Sequence, residues 1–443
     1  MQFWTRCSSL VLLLLGTSHA VYGEENWPQF RGANSSGVYA GKKLPSAWSG
    51  TQGIRWKTDI PGVAWSSPVV WGDRVFVTNA VSELPQESPK KGLYFGGDRP
   101  GPRATRYRWE VICLSRENGK VLWRSVARED NPTSSIHIKN SYASETPITD
   151  GERLYAYFGA AGLYCYDLDG KLLWEKDLGT YKTRLGWGTA SSPALDGDRI
   201  FIQNDNEEQS FLVALDKRTG EELWRVDRDE KSSWSTPFVW QNEQRTELVT
   251  CATKRVRSYD PATGELLWEL SGMSVICTPT PVAGDELLYV SSGYVMDMRR
   301  PLFAIRPGAS GDITLQGDET SNAGIAWCQK LGGAYMPSPV VVGDFIYVLY
   351  DRGFFACFNA RTGEPVYEKK RIEPGAGGFT ASPWAHDGKI FCLNEDGDTF
   401  VIQAGREFQI LRKNSIDDMF MASPAISGGS LFLRGMGRVY CAE

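Results

Sequence analysis

The chain has 443 residues, 42% of them apolar, and its formal net charge is −5. This balance is slightly acidic and no basic stripe or nucleic-acid motif stands out, so nucleic acid is excluded as an expected partner. The length alone would allow about three domains, but an internal repeat indicates one large closed domain.

Residues 1–23 have the pattern of a secretory signal peptide. Arg6 precedes the apolar run Leu10–Leu15, and small residues follow it. That run is too short to span a bilayer, and no later run of about 20 apolar residues occurs. Cys7 precedes the apolar run, the wrong place for a lipoprotein acylation site. We therefore expect an exported protein, periplasmic or secreted, that does not span the membrane.

The next segment, residues 24–53, is polar and rich in glycine. It carries three aromatic residues, Trp27, Phe30 and Trp48. We expect an extended arm that lies on the domain formed by residues 54–443, with Trp27 and Phe30 packed against it rather than bound to a ligand.

A Ser/Thr-Pro dipeptide recurs along the remaining chain, mostly at intervals near 44 residues. Its prolines are Pro68, Pro147, Pro193, Pro237, Pro281, Pro339, Pro383 and Pro424. A period near 44 is typical of a four-stranded propeller blade. Because proline cannot donate to a strand ladder, each anchor is expected to open an edge strand.

A tryptophan closes most repeats, commonly four residues after a glycine. These blade-closing residues are Trp123, Trp174, Trp224 and Trp268, then Trp327 without the glycine spacing, and Trp56 at the front of the chain. We expect each ring to lie between neighbouring blades. Only three strands fit after Pro424, so Trp56 and its strand should complete an eighth blade and join the chain ends. A pair of half-sized domains is the alternative, and it leaves Trp56 unexplained.

Eight cysteines remain after the expected cleavage. Export would permit disulfides, but Cys113, Cys165, Cys357 and Cys441 fall where other repeats hold Ala or Ser. That pattern favours a small buried position in the third strand of each blade. No CxxC or CxxCH motif occurs, so neither a zinc ribbon nor covalent haem is indicated.

The longest loops are predicted to emerge on one face of the propeller, and function commonly resides on such loops. The candidate ligand or partner surface on that face comprises Trp65, His137, Lys139, Asn140, Tyr142, Arg184, Trp187, Trp234, Asp297, Arg299, Tyr335 and Phe379. For the aromatic members the alternative is packing at the ends of inner strands. A Pro- and Gly-rich insert at residues 81–106, with Arg99 and Arg103 among its basic residues, has a length typical of a functional or a mobile loop.

No motif predicts catalysis. His137 is the only plausible general base for a nucleophile, and no triad can be assembled around it. The oxygen-rich runs 204–208 and 394–398 lack the spacing of an EF-hand, so they are interpreted as turns and no metal site is expected.

The anchors and the closing segments Leu215–Trp224 and Tyr259–Trp268 resemble the repeat of pyrroloquinoline-quinone (PQQ) type propellers. This resemblance implies an all-β, eight-bladed propeller of four-stranded antiparallel blades. The family includes quinoprotein dehydrogenases and non-catalytic propellers similar to BamB. The segment Asn26–Gly32 resembles the start of exported planctomycete-type members. The adjacent Cys-Cys pair of the dehydrogenases and the lipid-anchoring cysteine of the BamB-like group are both missing here.

Three functions stay open on these grounds. The first is an exported, non-enzymatic and monomeric propeller that binds protein or another envelope macromolecule, without a cofactor. The second is an oxidoreductase with PQQ and calcium in a divergent site near Arg184, Asp297, Arg299 and Asp351. The third is a carbohydrate-binding propeller that uses the ring of aromatic residues.

Overall fold

The structure is a computed structural model that describes residues 26–92 and 105–443. The expected signal peptide and the middle of the 81–106 insert, with Arg99 and Arg103, lie outside the described residues. Eight antiparallel sheets form the ring, which confirms the predicted all-β, eight-bladed propeller. The helical content of the described residues is three short 3₁₀ turns, Ala33–Ser35, Gly159–Ala161 and Arg184–Gly186.

The first four blades run from the axis outward in chain order. Blade 1 comprises β2 (Val69–Trp71), β3 (Arg74–Ser82), β4 (Tyr107–Ser115) and β5 (Val121–Asp130), and blade 2 comprises β6 (Ile148–Thr149), β7 (Arg153–Tyr157), β8 (Leu163–Asp167) and β9 (Leu172–Lys176). Blade 3 comprises β10 (Ala194–Asp196), β11 (Arg199–Asn204), β12 (Ser210–Asp216) and β13 (Glu222–Arg228), and blade 4 comprises β14 (Phe238–Gln241), β15 (Thr246–Cys251), β16 (Arg255–Tyr259) and β17 (Leu266–Ser271).

The last four blades follow the same plan. Blade 5 comprises β18 (Val282–Ala283), β19 (Leu288–Ser291), β20 (Leu302–Ile305) and β22 (Ile325–Gln329), and blade 6 comprises β23 (Val340–Val342), β24 (Phe345–Tyr350), β25 (Phe354–Asn359) and β26 (Pro365–Arg371). Blade 7 comprises β27 (Trp384–His386), β28 (Lys389–Leu393), β29 (Asp398–Gln403) and β30 (Ile410–Ser415), and blade 8 comprises β31 (Ala425–Ser427), β32 (Ser430–Arg434), β33 (Arg438–Ala442) and β1 (Ile54–Asp59). Each inner strand begins at the residue after its anchor proline, as predicted.

The turn between the third and fourth strands follows from the repeated Asp-x-x-Thr-Gly sequence. In blade 3 the Asp216 carboxylate accepts the backbone N–H groups of Arg218 and Thr219 at 2.8 and 3.1 Å. Gly220 then takes a φ of +75°, a conformation that favours glycine. The turn reverses the chain, so β13 runs antiparallel to β12 and Trp224 lies opposite Ala214.

The two ends of the chain close the ring. β1 pairs antiparallel with β33, so the strand that carries Trp56 is the outer strand of blade 8. The prediction of a shared last blade is therefore confirmed, and the outer strand from the front of the chain covers the edge of β33.

Five of the six closing tryptophans lie against the next blade in the same way. Each ring covers a turn glycine of that blade, and each indole N–H donates to a nearby backbone carbonyl. The pairs, at 2.9–3.1 Å, are Trp56 with Arg116, Trp123 with Leu168, Trp174 with Lys217, Trp224 with Pro261 and Trp327 with Ala360.

Trp268 differs from the other five. It is fully buried, and its indole N–H donates to the buried Glu247 carboxylate of its own blade at 2.6 Å. Blade 5 lacks the Thr-Gly turn here, and its acidic insert supplies β21 (Gly311–Asp312), which adds a fifth strand to blade 4 by pairing parallel with β17. The insert thus covers the outer edge of blade 4.

The cysteines occupy the predicted small positions. Cys113, Cys165 and Cys441 each lie across the strand pair from a closing tryptophan, and Cys357 lies across from Tyr367. All eight described cysteines are buried and free. Their role in the fold is to leave room beside the large ring.

The arm crosses one end of the ring from blade 1 to blade 8. Trp27 pairs with Val70 of blade 1, and the Pro28 carbonyl accepts the Thr149 N–H of blade 2. On the far side the Arg31 guanidinium donates to the Pro339 carbonyl of blade 6 at 2.6 Å. Further contacts join Tyr39 to Ala385 and Trp48 to Asn414, both in blade 7.

Candidate ligand-binding cavity

A deep cavity opens on the predicted elaborated face, around the propeller axis. The cavity volume is about 220 Å³. Its walls come from the loops that join each outer strand to the next inner strand, and Phe30 of the arm stands at its inner end. The cavity is therefore open toward the loops and closed toward the arm.

The floor of the cavity is a ring of eight hydroxyl groups. These are the Ser or Thr residues of the eight anchors: Ser67, Thr146, Ser192, Thr236, Thr280, Ser338, Ser382 and Ser423. From Ser67 to Ser382, each backbone N–H donates to the hydroxyl oxygen of the next blade at 2.9–3.3 Å. All eight side chains are at least 94% buried.

The ring hydroxyls retain bonding capacity. A hydroxyl has one donor and two acceptor positions, and the ring bonds use one acceptor position on seven of the eight oxygens. Within residues 26–92 and 105–443, the hydroxyl protons of these eight residues have no recorded acceptor. The floor therefore presents a circle of O–H donors to any group that reaches it.

Aromatic rings form the wall above the floor. Trp187 and Trp234 lie with ring centroids 5.9 Å apart, and the Trp234 indole N–H donates to the Gly188 carbonyl at 2.8 Å. Trp65 is 8% exposed, and its buried indole N–H has no acceptor in the described part of the chain. Tyr335 completes the wall and contacts the ring of Tyr294.

A strap of residues 137–140 lies at the rim and joins distant blades. The Asn140 amide donates to the Trp187 carbonyl at 2.8 Å, and the ring of His137 lies edge-on to Trp187. On the opposite side the Lys139 ammonium forms a 2.6 Å ion pair with Glu395 of blade 7, and Lys139 also donates to Thr380. The positive charge of Lys139 is thus balanced within the protein.

Two buried carboxyl groups support the wall from behind. Asp351 accepts the backbone N–H groups of Met336 and Tyr335 at 2.7 and 3.3 Å, and burial raises the pKa of Asp351 to about 6. Glu145 accepts the hydroxyl of Thr189, and burial raises the pKa of Glu145 to about 7. Both groups lie under wall segments.

Seven of the predicted surface residues meet at this cavity. They are Trp65, His137, Lys139, Asn140, Trp187, Trp234 and Tyr335.

The other five predicted residues lie elsewhere. Tyr142 packs on Tyr107 and Trp109, and Phe379 is buried against Phe400. Asp297 binds the Val275 N–H and the Ser274 hydroxyl at the edge of blade 5, next to the exposed Arg299. The Arg184 N–H donates to Ser232, and its guanidinium Nε is buried without a recorded acceptor among the described residues. None of the five lines the cavity.

Sequence reasoning did not identify the floor hydroxyls as site residues, nor Glu395 as the ion-pair partner of Lys139. The sequence analysis used the Ser and Thr residues of the anchors only to define the repeat. Their recurrence in every blade was the signal that they share one environment. Glu395 was assigned to a turn, and nothing local links it to Lys139, which lies 256 positions away.

The residues of the cavity do not fit PQQ with calcium. PQQ carries several carboxylates, and calcium takes an oxygen-rich set of ligands that usually includes carboxylates. The lining offers Lys139 and His137 as basic groups, with Lys139 already paired to Glu395, and it offers no carboxylate. Among the described residues, no group of three or more His, Cys, Asp or Glu is arranged to hold a metal ion.

The model of the family described as "outer membrane protein assembly factor BamB" matches residues 108–295 and 252–441. The chain belongs to this family of PQQ-like propellers. No protein of curated function matches the sequence. Of the helices in the described residues, none is long and apolar enough to cross a membrane.

Solved structures share the fold at low sequence identity. BamB from Moraxella catarrhalis is 13% identical, with 87% of this chain and 97% of that chain covered and a TM-score of 0.56. The quinohemoprotein alcohol dehydrogenase from Comamonas testosteroni is 11% identical, with 96% and 81% covered and a TM-score of 0.56. The computationally designed Ika8 protein, 11% identical with 88% and 99% covered, has the same TM-score. At these identities the likeness concerns the fold alone.

Proposed function

We propose that the protein is an exported, non-catalytic propeller that binds a protein or another macromolecule of the cell envelope. The observation that carries this proposal is the central cavity, which opens on the loop face and is closed by Phe30 at the other end. A cavity with one entrance suits the insertion of a protruding group of a partner. The signal pattern at residues 1–23 and the assembly-factor name of the matching family support an envelope location.

The polar groups of the rim support binding rather than catalysis. His137, the candidate base, accepts the Lys139 backbone N–H at Nδ1, at 3.1 Å, and lies edge-on to Trp187. Lys139 is held by Glu395 and Thr380. A general base must reach the proton of a nucleophile, and these contacts hold both side chains in a structural role.

A photocrosslinking residue placed at Met336, in the wall, tests the proposal in the native envelope. The matched control is the same residue at Asp344, an exposed turn at the opposite end of the same blade. We expect a discrete adduct from position 336 and none from 344. Filling the cavity with Ala190→Trp should remove the adduct, and circular dichroism would verify that this variant is folded. An adduct of equal yield from both faces, or one that persists in Ala190→Trp, contradicts the proposal.

The oxidoreductase alternative has a direct test. Calorimetric titration of the mature protein with PQQ and calcium, with and without chelator, should give no saturable heat. Calcium-dependent binding in the micromolar range or tighter would overturn the non-catalytic proposal and would lead to dye-linked assays with alcohols and sugars.

A further inference from the structure

We infer that the group bound in the cavity is the uncharged end of a glycan, with its hydroxyls on the anchor ring and its C–H faces on the tryptophans. This inference rests on the proposed function, because it names the chemistry of what enters the same cavity. It is carried by three features of the lining: its charge, its donors and its aromatic rings.

The charge of the lining selects a neutral ligand. The cavity has no carboxylate in its walls, and the Lys139 ammonium is 2.6 Å from Glu395, with side chains only 10% and 1% exposed. Bringing a charged group into such a site would strip its hydration without a free counter-charge in the lining to replace it. A peptide end would meet this difficulty, since its carboxylate or ammonium needs charge-assisted partners.

The donors of the floor select a ligand rich in hydroxyl oxygens. Eight buried O–H groups converge on the axis with no recorded acceptor among the described residues, and the buried indole N–H of Trp65 is a ninth. A sugar ring presents several hydroxyls at once, each able to accept from one floor group and donate to the free lone pair of another. An apolar group at the floor would leave all of these donors unsatisfied, at a cost for each one.

The aromatic wall selects a ligand that also has apolar faces. Trp187 and Trp234 lie side by side above the floor, and Trp65 and Tyr335 also face the cavity. A pyranose ring combines a face of C–H bonds with a rim of hydroxyls, so it can pack on indole and still bond to the floor. Tryptophan and tyrosine are suited to such mixed contacts because each has a large apolar body and one polar atom.

The closed inner end of the cavity restricts binding to the terminus of a glycan. Phe30 stands where an open channel would continue, and Arg31 beside it is bonded to the Pro339 carbonyl. A polysaccharide cannot pass through, so only its terminal residues can reach the floor.

Calorimetry and tryptophan fluorescence on the mature protein test the inference. The probes are neutral oligosaccharides that end in glucose, galactose, mannose or N-acetylglucosamine, matched with uronic-acid-terminated oligosaccharides and short peptides. We expect saturable binding and a fluorescence change for at least one neutral oligosaccharide, and none for the charged probes or the peptides.

A matched pair of variants at Thr280 tests the role of the floor. Its ring bond from the Thr236 N–H is the longest, at 3.3 Å, so its loss disturbs the fold least. Thr280→Val removes the hydroxyl and should weaken saccharide binding about tenfold, while Thr280→Ser keeps the hydroxyl and should bind more tightly than Thr280→Val.

Failure of the inference is separable from failure of the proposed function. If every neutral saccharide is inert, or if Thr280→Val binds as well as Thr280→Ser, the inference is wrong. If the adduct at position 336 is formed and is removed by Ala190→Trp in that case, the cavity still binds a macromolecule of another chemistry. If the adduct also persists in Ala190→Trp, both fail.

Discussion

Single side chains under the cavity wall set a dependence of stability on pH. Burial raises the folded-state pKa of Glu145 from 4.5 to about 7, so its protonated form is the one that the fold accommodates. The stability that protonated Glu145 contributes is fully present below its unfolded-state pKa of 4.5 and is lost as the pH rises through about 7. Asp351 acts in the same direction between 3.8 and about 6.

Replacing Glu145 by glutamine should remove the part of this pH-dependent loss of stability that Glu145 causes. We expect the unfolding free energy of Glu145→Gln, relative to the parent protein, to increase by about 3 kcal/mol between pH 4 and pH 8, because one pKa unit corresponds to about 1.4 kcal/mol. Urea denaturation at both pH values measures it. The control is Glu117→Gln, which changes an exposed carboxyl and should show no such trend. A difference between Glu145→Gln and parent that stays constant with pH would contradict the assignment.

At the level of the element, the closing tryptophans hold neighbouring blades together. The Trp224 ring covers Gly264 of the next blade, where an added Cβ would lie 2.8 Å from the ring, and its N–H donates to Pro261. Trp224→Ala should lower the unfolding free energy by about 3 kcal/mol, the low end of the cost of deleting a large aromatic side chain, because the ring is partly buried. The neighbouring Leu223→Ala changes a side chain that is 49% exposed and is the matched control. An unchanged melting temperature for Trp224→Ala would rule out this role.

The strands were predictable because their signals are local. An anchor proline marks each inner strand, and a glycine four residues earlier marks four of the six closing tryptophans. Trp268 keeps the sequence pattern but bonds within its own blade, because the partner turn of blade 5 is replaced by the insert that supplies β21. Phe379 also follows the aromatic pattern, yet it is core, because pattern alone does not tell a wall residue from one turned between blades.

For the whole molecule, closure depends on β1. The Glu443 N–H donates to the Gly53 carbonyl at 3.0 Å, so the end of β33 lies beside the start of β1. A chain that lacks residues 1–59 should lose cooperative unfolding and aggregate, because β33 becomes an open edge.

A rearranged chain isolates the role of closure. In it, residues 54–59 follow Glu443 through a short turn and the chain starts at residue 60. It lacks the arm just as the truncated chain does, so the two differ only in β1. We expect cooperative melting and a single monomeric peak on gel filtration for the rearranged chain alone. Equal behaviour of the two chains would mean that β1 is dispensable.

The route of the arm was the part of the whole molecule that the sequence could not predict. Its contacts with blades 6 and 7 join residues more than 300 positions apart, such as Arg31 with Pro339. No periodicity encodes such pairs, since each depends on where the ring places its two ends. The pairing of Lys139 with Glu395 was unpredictable for the same reason. The aromatic wall could be predicted, because its residues repeat with the blades.

The path of the arm also imposes an order of events on biogenesis. The arm residues are synthesised long before the strands that they bind, and the contacts of Arg31, Tyr39 and Trp48 cannot form until blades 6 and 7 are present. Contacts so distant in sequence make folding slow. The inner end of the cavity is therefore among the last parts to form, and a chain that stalls or is cut short has no finished site to offer. A chain able to bind is therefore one whose synthesis and folding are complete.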